Sequence, residues 1–130
     1  MGEQLLCGRR VLVVEDEMLV LMAIEDMLAD LGCTSVMIAG TVDDALDLIA
    51  TNVIDIATLD VNLNGKRSDP IADALVGHGI PFAFSTGCGE LGVGEGFGEH
   101  PVLNKPYGAR QFAGVLTRLL ALRDKPPDAV

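Results

Sequence analysis

A chain of 130 residues, 49% of them hydrophobic, is long enough for one domain with a proper core and too apolar to stay disordered. Its longest apolar run, Met18 to Ile24, falls far short of a membrane span. Nineteen acids against nine bases give a net charge of −10, which repels nucleic acid and anionic lipid surfaces.

The opening residues lack the basic-then-apolar order of a signal peptide. Three cysteines, Cys7, Cys33 and Cys88, are an odd number and argue against a disulfide framework. Both features point to a reducing, cytoplasmic setting. Arg10 to Val14 is a continuous aliphatic run, the pattern of a strand buried on both faces, and it ends in Glu15, Asp16 and Glu17. A helix is predicted from about Met18 to Leu31, with Leu21, Ile24, Met27, Leu28 and Leu31 on one side and Gly32 closing it. Thr34 to Ala39 is a second strand. Thr41-Val-Asp-Asp44 fits an acidic capping box, with Val42, Ala45, Leu46 and Ile49 at helical spacing behind it. Asp55 to Leu59 is a third strand that runs into Asp60.

Asn62 to Ser68 is predicted as a polar loop, and Pro70 opens a helix through Val76. Ile80 to Ser85 is a fourth strand leading to Thr86, and Pro101 to Leu103 a short fifth. Phe112, Val115, Leu116, Leu119 and Leu120 recur at the spacing of an amphipathic helix. Six glycines in residues 87–98 leave a mobile loop or a marginal helix where the alternation calls for a helix. Strands alternating with helices imply βαβ units, right-handed crossovers and a parallel sheet covered on both faces. The expected organisation is an N-terminal extension at 1–8, one domain at 9–123 and a flexible tail or linker stub at 124–130.

In a doubly wound sheet, ligands bind outside the carboxyl ends of the strands. Those ends deliver Glu15 and Asp16, then Asp60, then Thr86, then Lys105-Pro106. Clustered carboxylates raise one another's pKa, and a hard cation such as Mg²⁺ removes the conflict. A carboxylate beside Mg²⁺ can be the nucleophile in phosphoryl transfer, with an ammonium and a hydroxyl to neutralise the transferring group. Residues 1–65 carry twelve acids and two bases, residues 66–130 seven of each, so all of the charge excess lies in the half that holds this cluster.

The set Glu15-Asp16, Asp60, Thr86 and Lys105-Pro106 resembles the receiver domain of two-component response regulators, over about residues 9–123. The resemblance implies a flavodoxin-like α/β fold, a doubly wound five-stranded parallel sheet in the order 2-1-3-4-5 with helices on both faces. It implies that Asp60 accepts a phosphoryl group from a sensor histidine kinase or histidine phosphotransfer protein. Asp16 and Asp60 would ligate Mg²⁺, Glu15 would act through water, and the backbone carbonyl of Asn62 would complete the protein's share. Lys105 and Thr86 would contact the phosphoryl group, and the Lys105–Pro106 bond resembles the family's cis peptide. Such a domain is a switch and not a turnover enzyme; its product is a changed affinity for a downstream protein partner, as a monomer or weak dimer.

Val102 stands where the family often has an aromatic residue, and no proline closely follows Asp60. With the glycine-rich stretch, these departures resemble a single-domain subgroup with a degenerate fourth helix. Switching would then use ordering of residues 87–100, and Thr86, Gly87, Val102 and Tyr107 are the expected switch and partner surface. Two alternatives use the same fold: an interaction module independent of phosphorylation, and a receiver domain of a hybrid histidine kinase. Gly87-Cys-Gly-Glu-Leu-Gly92 matches a dinucleotide fingerprint in letters, but no acid follows at the required distance. An Asp-nucleophile phosphatase usually wants a second Asp where Asn62 stands.

Overall fold

The computed structural model of the chain describes residues 5–63, 65–86, 100–105 and 107–124. Five strands, β1 (Arg10–Val14), β2 (Ser35–Ala39), β3 (Ile56–Asp60), β6 (Phe82–Thr86) and β7 (Val102–Asn104), form one parallel sheet in the order β2-β1-β3-β6-β7. This is the expected 2-1-3-4-5 order, because a two-residue hairpin, β4 (Asn62–Leu63) and β5 (Lys66–Arg67), stands between the third and fourth sheet strands. The helices are α1 (Met18–Asp30), α2 (Val42–Thr51), α3 (Asp69–Gly77) and α4 (Ala109–Asp124).

Strand alternation builds two cores, one on each face of the sheet. Leu12 and Val14 of β1 point into a core with Ala45 and Ile49 of α2 and Ile71, Ala72 and Leu75 of α3. Val11 and Val13 point the other way, onto Ile24 and Leu28 of α1 and Phe112, Leu116, Leu119 and Leu120 of α4. A strand buried on both faces needs apolar residues at every position, which is why β1 reads as an unbroken run. Thr41 Oγ1 accepts the Asp44 N–H at 3.1 Å and caps α2 as the acidic capping box requires.

The predicted polar loop at Asn62–Ser68 is corrected to the β4–β5 hairpin. Leu63, 2% exposed, anchors it in the core, and Gly65 supplies the positive φ of +85° for its turn. The Ser68 side chain and N–H both donate to the Val61 carbonyl at 3.0 Å and close its base. Leu6 is fully buried and its N–H donates to the Leu31 carbonyl at 2.9 Å, so the turn before residue 9 is packed onto the domain. The glycine-rich stretch 87–98 lies outside the described residues, as do Pro106 and the tail from 125. No helix among the described residues is long and apolar enough to cross a membrane.

Candidate functional site

The strand order reverses direction between β1 and β3, so their carboxyl ends open the crevice where doubly wound sheets bind ligands. Glu15 continues β1 by donating its N–H to the Ala39 carbonyl at 3.0 Å. Asp60 is the last residue of β3 and lies opposite Ser85 in the β3–β6 register. Thr86, 5% exposed, ends β6. Its carbonyl accepts the Lys105 N–H at 2.8 Å, which fixes the root of the lysine beside the site. Because all five strands are parallel, these residues meet on one edge, as the sequence predicts.

The Lys105 ammonium lies at the centre. Its Nζ is 3.0 Å from Glu15 Oε1, 3.1 Å from Asp60 Oδ2 and 3.1 Å from Glu17 Oε1. The Glu15 and Asp60 side chains are 1% and 4% exposed, whereas Glu17 is 63% exposed. Asp60 Oδ1 also accepts the Asn62 N–H at 3.3 Å, and Glu15 Oε2 accepts the Glu17 N–H at 3.1 Å. One carboxylate oxygen from each of Glu15, Asp16 and Asp60 lies within 4.8 Å of the others. Glu15 Oε1 receives no directed hydrogen bond despite its distance from Nζ, which leaves a buried lone pair open. Three oxygen donors in this crowding, with an open lone pair, fit a hard divalent cation that keeps several waters.

Burial pushes the Asp60 carboxyl up from its ordinary 3.8 to about 7; the Glu15 charge adds to this and Lys105 opposes it. Burial alone would lower the Lys105 ammonium, but the Glu15 hydrogen bond and the Asp60 and Glu15 charges raise it overall. Lys105 therefore stays charged at any pH of interest, and Asp60 is the group that yields. An acid whose folded pKa exceeds its unfolded one binds its proton more tightly when folded, so stability falls as pH rises between those two values and is level above them. For Asp60 that window runs from 3.8 to about 7. In metal-free buffer, thermal melts of the wild type should therefore lose stability from about pH 4 to about pH 7 more steeply than Asp60→Asn, and the variant should melt higher at pH 8. Parallel melting profiles would contradict this.

Two of the residues expected on the switch and partner surface, Tyr107 and Val102, are half-buried. Tyr107 turns its ring onto Phe112 of α4, with ring centroids 5.8 Å apart and planes 5° apart, and buries its hydroxyl. The apolar face of Phe112 outweighs solvent for the ring, while the buried Tyr107 and Ser85 hydroxyls make no hydrogen bond among the described residues. Burial raises the Tyr107 phenol, against a smaller lowering from Ser85. Val102 is half-buried on the edge strand against the α2–α3 core. Gly87 lies outside the described residues. Glu17 is the residue that sequence reasoning left out of the site.

A doubly wound parallel sheet carrying an acid pair, a lone buried aspartate and a bridging lysine at its switch point is the arrangement of the receiver class. Comparison with known proteins agrees. The chain is similar to SdrG from Sphingomonas melonis Fr1, with 40% identity over 88% of this chain and 95% of that one and a TM-score of 0.75. It matches the BeF3-activated conformation of SdrG with 42% identity over 85% and 95%, TM-score 0.74. A response regulator receiver protein from Burkholderia phymatum matches with 25% identity over 88% and 96%, TM-score 0.77. The receiver domain of the sensor histidine kinase PA1611 from Pseudomonas aeruginosa PAO1, with a magnesium ion in its active-site cleft, shares the fold at 21% identity over 88% and 99%, TM-score 0.77. No family model and no curated protein matches the chain. The chain belongs to the response regulator receiver family.

Proposed function

We propose that the chain is a phosphorylation switch, not a turnover enzyme, that accepts a phosphoryl group on Asp60 from a phosphohistidine of a cytoplasmic sensor histidine kinase or histidine phosphotransfer protein. The supporting observation is the bridge from Lys105 Nζ to Asp60 Oδ2 at 3.1 Å and Glu15 Oε1 at 3.0 Å, beside three carboxylates within 4.8 Å. Asp16 and Asp60 would hold Mg²⁺, with Glu15 through water and the Asn62 carbonyl as a further donor. Bound there, the cation supplies neutralising charge for the acids and for the transferring phosphoryl oxygens.

The chain's own residues do the rest. An oxygen of the Asp60 carboxylate attacks phosphorus as the donor's N–P bond breaks; the ring nitrogen keeps the electron pair and takes a proton from solvent, giving an aspartyl phosphate and a neutral histidine on the donor. Lys105 Nζ, already at Asp60 Oδ2, neutralises one phosphoryl oxygen without having to be recruited. The Asn62 N–H on Asp60 Oδ1 fixes which way the carboxylate faces. The buried Thr86 hydroxyl, one residue beyond Asp60's β6 neighbour, suits a further contact. The added charge then changes affinity for a downstream protein.

A radiolabelled phosphohistidine donor panel tests this. With Mg²⁺, label should leave at least one donor and appear on this chain, and chelation should stop it. Partner binding that is tight and indifferent to Mg²⁺ and donor would instead favour the phosphorylation-independent module.

A further inference from the structure

We propose that Glu17 is the exchangeable partner of Lys105: it occupies the donor that an incoming phosphoryl oxygen must take, and so positions the ammonium and resists premature anion entry. This inference rests on Asp60 being the phosphoacceptor. An ammonium has three donors and no more. In this structure three carboxylates take them, Glu15 through Oε2 at 3.2 Å and Asp60 from within, and Glu17 from the solvent side. A phosphoryl oxygen can reach Nζ only by displacing one of the three. Asp60 is the attacking group and stays. Releasing Glu15, 1% exposed, would strand a buried charge. Releasing Glu17, 63% exposed, costs little because water replaces the lysine.

The Glu17 side chain also has no capping role in α1 to lose. Glu17 is the N-cap of α1, at φ −94° and ψ 117°, yet its side chain makes no capping hydrogen bond. Asp, Asn, Ser and Thr ordinarily cap from that position, and the longer Glu17 side chain does not. Here the Glu17 N–H donates to Glu15 Oε2, which pins its backbone to the site, and the carboxylate crosses to Lys105, 88 residues away in the chain. Removing the side chain therefore frees the lysine without uncapping the helix.

The experiment compares the wild type with Glu17→Ala and Glu17→Asp. Beryllofluoride affinity is measured by calorimetry at saturating Mg²⁺. Both variants should bind about two- to fivefold more tightly, Asp as well as Ala because the shorter arm keeps the charge and loses the reach. Without metal, acetic anhydride should label Lys105 faster in both variants, relative to exposed Lys66. Unchanged or weaker binding by Glu17→Ala would overturn the inference. So would tightening in Ala but not in Asp, which would assign the effect to distant charge. A wild type that fails to bind beryllofluoride rejects the phosphoacceptor reading instead, and the metal-free labelling then decides on Glu17: faster labelling in both variants supports the pairing, and unchanged labelling overturns it.

Discussion

Replacing Lys105 by Met should destabilise the metal-free protein at pH 8 by about 3 kcal/mol, a fall in Tm on the order of 10 °C. Met keeps the apolar stem and removes the ammonium. Glu15 and Asp60, 2% and 3% exposed, are then left facing each other with no cation between them. Removing one partner of a buried pair costs more than the pair ever contributed, because the remaining charge is desolvated and uncompensated. The loss should shrink as pH falls, since protonating one acid relieves the repulsion; it should also shrink when Mg²⁺ is added. A Tm change of less than about 2 °C at pH 8 without metal would show that Lys105 does not hold the site together.

Asp16→Ala should weaken Mg²⁺ binding by about 30-fold or more in a calorimetric titration. Loss of an indirect supporting partner around a metal already costs roughly 10- to 100-fold, and Asp16 offers one of the three clustered oxygens directly. Asp30→Ala, on the exposed face of α1, removes the same formal charge and should leave the affinity within about twofold, since a screened distant charge contributes little. Equal losses in the two variants would mean that the acidic first half attracts cations as a field and not through a site.

The parts of the fold legible in the sequence are those with an unambiguous period. β1 reads as a strand because both faces are buried, which forces four consecutive apolar residues from Val11 to Val14. α4 reads as a helix because Phe112, Leu116, Leu119 and Leu120 fill one stripe. The β4–β5 hairpin has no such signal: two-residue strands show no alternation, and the hairpin is held by one buried leucine and the Ser68 bond to Val61. The site itself was legible because parallel strands carry their last residues to one edge, so Glu15, Asp16, Asp60, Thr86 and Lys105 could be placed without side-chain detail. Which of three adjacent acids turn toward the lysine is decided by side-chain packing, and spacing does not reveal it. Glu17 was therefore missed. The packing of the Tyr107 ring against Phe112 is likewise a matter of side-chain placement that spacing does not reveal.

The charge of −10 also takes on a specific meaning. Glu15 and Asp60 are not surface charge; they are enclosed around one lysine and, with Asp16, form a cluster suited to a cation. The exposed excess lies on α1 and α2, at Glu25, Asp26, Asp30, Asp43, Asp44 and Asp47.

The most direct test is the intact mass of the protein after incubation with Mg²⁺ and a small phosphodonor such as acetyl phosphate, read beside Asp60→Asn. The wild type should gain the mass of one phosphoryl group, lose the gain when Mg²⁺ is chelated beforehand, and the variant should gain nothing. A phosphoryl increment that persists in Asp60→Asn, or none in the wild type with Mg²⁺ bound, would contradict the assignment of Asp60 as the phosphoacceptor.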